Sequence, residues 1–186
     1  MAGKRSYEVV TAGDIVKTVS VWIIDVILVV SLGLVLTHLF GTRVRMEGSS
    51  MTPTISGGDR MLLNRVKGKI IPVKRYDIVV FHLPGQDGVY LKRVLALPGE
   101  TLQIIQGVVY INGEALPESE YTSTLAYAGV AVSPLTLRKD EYFVIGENAD
   151  ASLDSRFTDV GNIPAENILG TVWIRFAPFK NLKFLS

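Results

Sequence analysis

The stretch YDIVVFHLPGQDGVYLKRVLALPGE, Tyr76 to Glu100, decides how this chain folds. Its two apolar runs, YDIVVFHL and VYLKRVLAL, are short and rich in β-branched and aromatic residues, the composition of strands rather than helices. Gln86-Asp87-Gly88 lies between them and supplies the turn of a β-hairpin. Working outward, RVRMEG from Arg43, RMLLNRV from Arg60, TLQII from Thr101, VVYI from Val108, EYFVIG from Glu141 and TVWIRF from Thr171 have the same character. Gln106-Gly107 closes a second hairpin and Asn112-Gly113 turns the chain again. Strands this short and closely spaced predict a mainly β domain, an antiparallel folded-over sheet or barrel. Between Glu114 and Lys139 the pattern fades into Pro, Ser, Thr and Ala, read as a long excursion or hairpin. The basic residues from Arg65 to Arg75 are expected on a solvated face.

N-terminal to these runs the periodicity is different. Val19 to Phe40 reads VSVWIIDVILVVSLGLVLTHLF, 22 residues with one formal charge, enough helix to cover roughly 30 Å of hydrocarbon at about 1.5 Å per residue. Asp25 costs about 2.5–3.5 kcal/mol at a bilayer centre and less near the headgroups, whereas each Leu, Ile or Val contributes about −0.3 to −0.6 kcal/mol, so the apolar sum wins. A cleavable leader has a shorter apolar core and a small-x-small site; here Gly-Thr-Arg-Val-Arg-Met follows Phe40, so the segment reads as an uncleaved anchor. The expected organisation is a cytoplasmic segment 1–18, a single transmembrane helix 19–40 and an extracytoplasmic β domain 41–186. Lys4, Arg5 and Lys17 before the span outnumber Arg43 and Arg45 after it, which slightly favours a cytoplasmic N-terminus.

Composition narrows the chemistry. The 186 residues are 48% hydrophobic, with 19 Lys+Arg against 18 Asp+Glu, which suggests neither a disordered chain nor a nucleic-acid binder. With no cysteine and only His38 and His82, disulfides and thiolate catalysis are excluded and metal centres are poorly supplied, so no metal or cofactor is expected. A serine nucleophile would then need lysine or a carboxylate as its base. His38 lies inside the apolar run, and His82, before Leu-Pro-Gly, reads as an exposed edge histidine.

Alternation in VYLKRVLAL puts Lys92 on the face of Tyr90, Val94 and Ala96, and Arg93 with Leu91 and Leu95. Arginine stays protonated, so of the two only Lys92 could become a neutral base, if burial disfavours its charge. Read alone, Lys92 is equally a lysine snorkelling from a sheet edge, and Ser50, in GSSMTPTISGGD from Gly48, a turn serine. The two lie 42 residues apart, so only the fold could join them.

Taken together, four segments resemble the bacterial type I signal peptidases, membrane-anchored serine proteases that remove signal peptides from exported proteins. They are EGSSMTPTISGGD, YDIVVFHLP, YLKRVLALPGE and GENADASLDSRFTDVGNIPAENILG, in the family's order, between Val44 and Phe179. The resemblance implies a Ser-Lys dyad in which Ser50 is the nucleophile and Lys92 the general base, with the Ser50 backbone N–H in the oxyanion hole. It places Ser152 as a hydrogen-bond partner of the lysine amine, and Asp154 and Arg156 in a supporting salt bridge. By matching positions, Val44, Met46, Met51, Ile55, Tyr90 and Leu91 line the pockets for an Ala-x-Ala-like sequence. Gly48 replaces the serine that in some relatives adds a second oxyanion donor, and Glu147, Ala149 and Ala151 replace the usual Asp, basic residue and Asn.

The implied partners are signal peptides of exported preproteins and the lipid bilayer of the cell membrane. A self-cleaving repressor-type Ser-Lys peptidase would share the chemistry but carry a DNA-binding N-terminal domain where this chain has its apolar span. A membrane-anchored β domain that binds exported proteins without cleaving them is the non-enzymatic alternative. Trp173, Phe176 and Phe179 near the C-terminus are candidates for interfacial contact, with strand packing the simpler reading for the first two.

Overall fold

The computed structural model describes residues 11–117 and 125–185. Lys4, Arg5 and the centre of the 114–139 excursion lie outside them. The chain divides into two units, residues up to His38 and residues from Leu39 onward.

The first unit is helical. Helix α1, Ala12–Phe40, is long and apolar enough to cross a membrane. It begins seven residues before the expected Val19 because Thr11 and Asp14 form a reciprocal cap: Asp14 N donates to Thr11 Oγ1 at 3.3 Å, and Thr11 N donates to Asp14 Oδ2 at 3.0 Å. The polar first turns therefore extend the apolar run at its N-terminal end.

The second unit is β. Among the described residues its strands are β1 Thr42–Arg45, β2 Arg60–Asn64, β3 Ile78–Phe81, β4 Tyr90–Ala96, β5 Thr101–Ile105, β6 Val108–Ile111, β7 Glu114–Ala115, β8 Leu135–Thr136, β9 Glu141–Ile145, β10 Ile163–Pro164, β11 Ile168–Ala177 and β12 Lys183–Phe184. All eight runs read from the sequence appear, joined by four strands of two residues each. The larger sheet runs β1-β2-β11-β3-β4-β9-β10 with β12 on β11, and a smaller one runs β7-β6-β5-β8. Every ladder is antiparallel.

The Gln86-Asp87-Gly88 turn joins β3 to β4, with Phe81 opposite Tyr90 and Val79 opposite Lys92. His82 braces this hairpin, its Nδ1 lying 2.8 Å from Gly88 O. Gln106-Gly107 and Asn112-Gly113 turn as expected, each pair with positive φ at both residues, the geometry that matches the twist of paired strands.

Both faces of β3 are covered, which is what makes the sheet fold over. Ile78 and Val80 pack with Met51, Ile55, Met61, Leu63, Leu91 and Val172, while Val79 and Phe81 pack with Val94, Val144, Ile163 and Ile168. A third cluster lies under the smaller sheet and takes in Leu95, Ala96, Leu102, Val109 and Phe143. A register shift between Val94 and Ala96 carries Ala96 into this cluster with Leu95, so the alternation that grouped Lys92 with Ala96 stops at Val94.

The expected solvated basic face is broken by ion pairs. Lys67 Nζ lies 2.7 Å from Asp77 Oδ1, and Arg75 Nη2 lies 2.6 Å from Glu100 Oε1, with all four side chains largely buried. Of the C-terminal aromatics, Trp173 meets the ring of Phe40 edge-on at 6.1 Å, and Phe179 is 84% exposed.

Candidate active site

Ser50 sits on the irregular loop between β1 and β2, and Lys92 on the central strand β4. Across the 42 intervening residues the fold brings them into contact: Lys92 Nζ donates to Ser50 Oγ at 2.8 Å. Lys92 is only 5% exposed, and burial pushes its amine down to about 8, with the nearby Asp154 opposing and Arg156 adding to that shift. A lysine snorkelling to water would have kept its ordinary value. The Ser50 N–H has no hydrogen-bond partner among the described residues, while Ser50 O accepts from Asn148 N at 3.0 Å.

The GENADASLDSR segment closes the other side. Asp154, fully buried, accepts Arg156 Nε at 2.8 Å on one oxygen and Arg156 Nη2 at 2.9 Å on the other, and also takes the Gly146 N–H at 3.0 Å. Arg156 donates further to Ala149 O at 2.8 Å and Tyr127 O at 3.3 Å. This pair therefore pins the backbone on both sides of Asn148. Arg156→Met leaves the Asp154 carboxylate buried without its cation, and chemical denaturation of the full chain is expected to show a loss of about 3–5 kcal/mol.

Gly146 packs where no side chain fits. A Cβ built on it would lie 2.2 Å from Ser152 Oγ and 2.6 Å from Ser50 O. Ser152 is thus near Ser50, but the bond to the lysine amine implied for it is not formed, and its buried hydroxyl has no partner among the described residues. Gly48 has φ +79°, a conformation that suits glycine and strains a serine, and contributes no side-chain donor.

Two supporting residues escaped the sequence reading. Arg93, set aside because it cannot be a base, pairs with Glu147: its Nε donates to Glu147 Oε1 at 2.9 Å, its Nη2 donates to the same oxygen, and its Nη1 donates to Tyr76 O at 2.6 Å. Glu147 Oε2 in turn accepts the Thr54 N–H at 3.3 Å, four residues past Ser50. The adjacency of Lys92 and Arg93 on a strand was the available signal, since the two must face opposite sides.

A cleft of about 390 Å³ opens beside the pair, lined by Arg45, Met46, Glu47, Ser50, Asp87, Gly88, Val89, Tyr90, Leu91 and Lys92. Of the expected pocket residues, Met46, Tyr90 and Leu91 border it. Met51 and Ile55 are fully buried in the core cluster shared with Met46 and Leu91, and Val44 packs against that cluster. The charged rim of Arg45, Glu47 and Asp87 was not foreseen.

An antiparallel β domain with a hydroxyl held by a desolvated amine at the edge of an open cleft has the equipment of a hydrolase that works without histidine. The family model for signal peptidase, peptidase S26, matches residues 16–177. The chain is 33% identical over 180 residues to signal peptidase I T of Bacillus subtilis, covering 93% of each. It is also 33% identical over 169 residues to signal peptidase I of Bacillus amyloliquefaciens, covering 87% of each. A crystal structure of a signal peptidase I from Enterococcus faecalis matches 54% of this chain and 96% of its own, at 30% identity and a TM-score of 0.43. The chain belongs to the signal peptidase family and is a peptidase of the S26 kind.

Proposed function

We propose that this chain is a membrane-anchored signal peptidase I, a serine endopeptidase that cuts exported preproteins after an Ala-x-Ala-like site, with Ser50 as nucleophile and Lys92 as general base. The observation that carries this reading is the 2.8 Å contact between a buried, desolvated lysine amine and a serine hydroxyl beside an open cleft.

Neutral Lys92 takes the Ser50 proton as Oγ attacks the scissile carbonyl carbon. The Ser50 N–H donates to the oxyanion that forms. Collapse of the tetrahedral adduct breaks the C–N bond, and the Lys92 ammonium returns its proton to the leaving amine, the new N-terminus of the mature protein. Water, deprotonated by Lys92, then attacks the ester on Ser50; the C–Oγ bond breaks, the Lys92 ammonium returns the proton to Ser50 Oγ, and the signal peptide leaves with its new C-terminal carboxyl group.

Signal peptides carry small residues at the first and third positions before the cut, and Met46, Tyr90 and Leu91 with Val44 offer a shallow apolar lining for them. Met51 and Ile55, fully buried, pack in the core cluster that holds Met46 and Leu91. Helix α1 serves as the anchor, with the N-terminus cytoplasmic and the β domain outside. Ser50 follows Phe40 by ten residues of chain, and the scissile bond of a precursor likewise lies just past its own apolar segment. Signal peptides and the lipid bilayer are the partners of this arrangement.

The test is cleavage of a synthetic Ala-x-Ala precursor by the purified full chain in detergent, with the product's N-terminus sequenced. A single cut after the second alanine is expected; an intact precursor, or cutting elsewhere, would refute the assignment. The pH profile follows from the base. Because burial lowers the Lys92 pKa to about 8, the amine is neutral above that pH and protonated below it. The profile of kcat/KM should be flat above about pH 8.5 and fall roughly tenfold per unit below about 7.5. A profile flat through pH 6 excludes Lys92 as the base.

A further inference from the structure

The loop that carries Ser50 is also gripped from the side of β11. Arg175 projects from β11 with only 13% of its side chain exposed, and its two ends serve different elements. Its Nη1 donates to Thr54 O at 2.6 Å and to Asp59 Oδ2 at 3.2 Å, both in the loop between β1 and β2. Its Nε donates to Asn181 O at 2.8 Å, in the single turn Phe179–Asn181 that leads back into β12.

Asp59 is itself a loop organiser, taking the Ser56 N–H at 3.0 Å on the same oxygen, while its carbonyl accepts Met46 N at 2.9 Å. Thr54 is therefore held at both of its backbone groups, the N–H by Glu147 and the carbonyl by Arg175. Ile55 N donates to Met51 O at 2.8 Å, so the gripped residue is tied within one turn to the residue after Ser50.

We infer that Arg175 is a positioning residue for the cleavage reaction, a clamp that spans the C-terminal turn and the Ser50 loop and holds the nucleophile against its base. The inference rests on Ser50 being the nucleophile. Arginine is required because its Nε and Nη donors diverge in a rigid plane and reach two carbonyls on different elements at once. A lysine has one nitrogen; it keeps the charge opposite Asp59 but cannot serve both Thr54 and Asn181.

Arg175→Lys in the full chain, assayed in detergent below its unfolding temperature, is expected to lower kcat by about tenfold or more with KM within about twofold, because displacement of a reacting group by a fraction of an ångström is costly. A stability loss alone would leave kcat per folded molecule unchanged. The second variant, Glu147→Gln, weakens the opposite grip on Thr54. Combined with Arg175→Lys it should cost less than the product of the two separate fold-changes, since both act on the backbone of one residue, Thr54.

Parental kcat in Arg175→Lys, or separate effects that multiply, overturns the clamp while leaving Ser50 as the nucleophile. Ser50→Ala is run beside them: its inactivity upholds the nucleophile, and turnover by it would overturn both readings.

Discussion

Ser50→Ala and Lys92→Ala are each expected to lower kcat for precursor cleavage by about 10⁴-fold or more, and the double variant should be no worse than either single one. The reason is geometric. Lys92 Nζ is 2.8 Å from Ser50 Oγ, and the one histidine of the β unit, His82, is committed to the β3–β4 turn at Gly88. Without the amine the hydroxyl keeps its proton; without the hydroxyl the amine has nothing to activate. Near-equal single and double effects identify two groups acting as one unit, whereas effects that multiply would mean separate roles. Lys92→Arg should be as inactive as Lys92→Ala, because a guanidinium does not release its proton.

Gly146→Ala should also be damaging, although it alters no group that reacts. The added methyl would arrive 2.2 Å from Ser152 Oγ and 2.6 Å from Ser50 O, and the second of these is backbone, which cannot rotate away. Gly146 cannot retreat, because its N–H is held by Asp154 at 3.0 Å and Asp154 is locked to Arg156. The strain therefore falls on the Ser50 carbonyl and its bond to Asn148. We expect kcat about 10²-fold lower, the cost of misplacing a reacting group by about 1 Å, and a stability loss of about 1–3 kcal/mol from overpacking. Steady-state kinetics and denaturation of the same preparation separate the two effects. Full activity would mean that the Ser50 loop is free to shift without consequence.

Much of this architecture could be read from the chain before any coordinates, and the limits of that reading have physical causes. The eight runs were legible because each is an uninterrupted cluster of β-branched and aromatic residues, and the hairpins because Gln-Gly and Asn-Gly accept positive φ. Strands β7, β8, β10 and β12 were not, since two residues are too few to show a period. The bulge that moves Ala96 to another face leaves no mark in an alternation of apolar residues. Lys67 and Arg75 looked solvated because their partners, Asp77 and Glu100, are distant in sequence and meet them only through the fold.

The same holds at the site. Strand alternation singled out Lys92, and the resemblance to the signal peptidases named Ser50, but neither could reveal that Glu147 and Arg175 grip the N–H and the carbonyl of the same residue, Thr54. Glu147 looked like a departure from the family's pattern. In the structure its carboxylate spans from Arg93 to the Thr54 N–H.

The central claim is that burial against Ser50 lowers the pKa of the Lys92 amine to about 8, so that its neutral form is available as a base. It is tested most directly by following the ε-carbon resonances of labelled lysines in the full chain in detergent as pH is raised. One resonance titrating near pH 8, absent from Lys92→Ala, is the expected result. A Lys92 resonance that titrates near the ordinary lysine value of about 10.4 would contradict it.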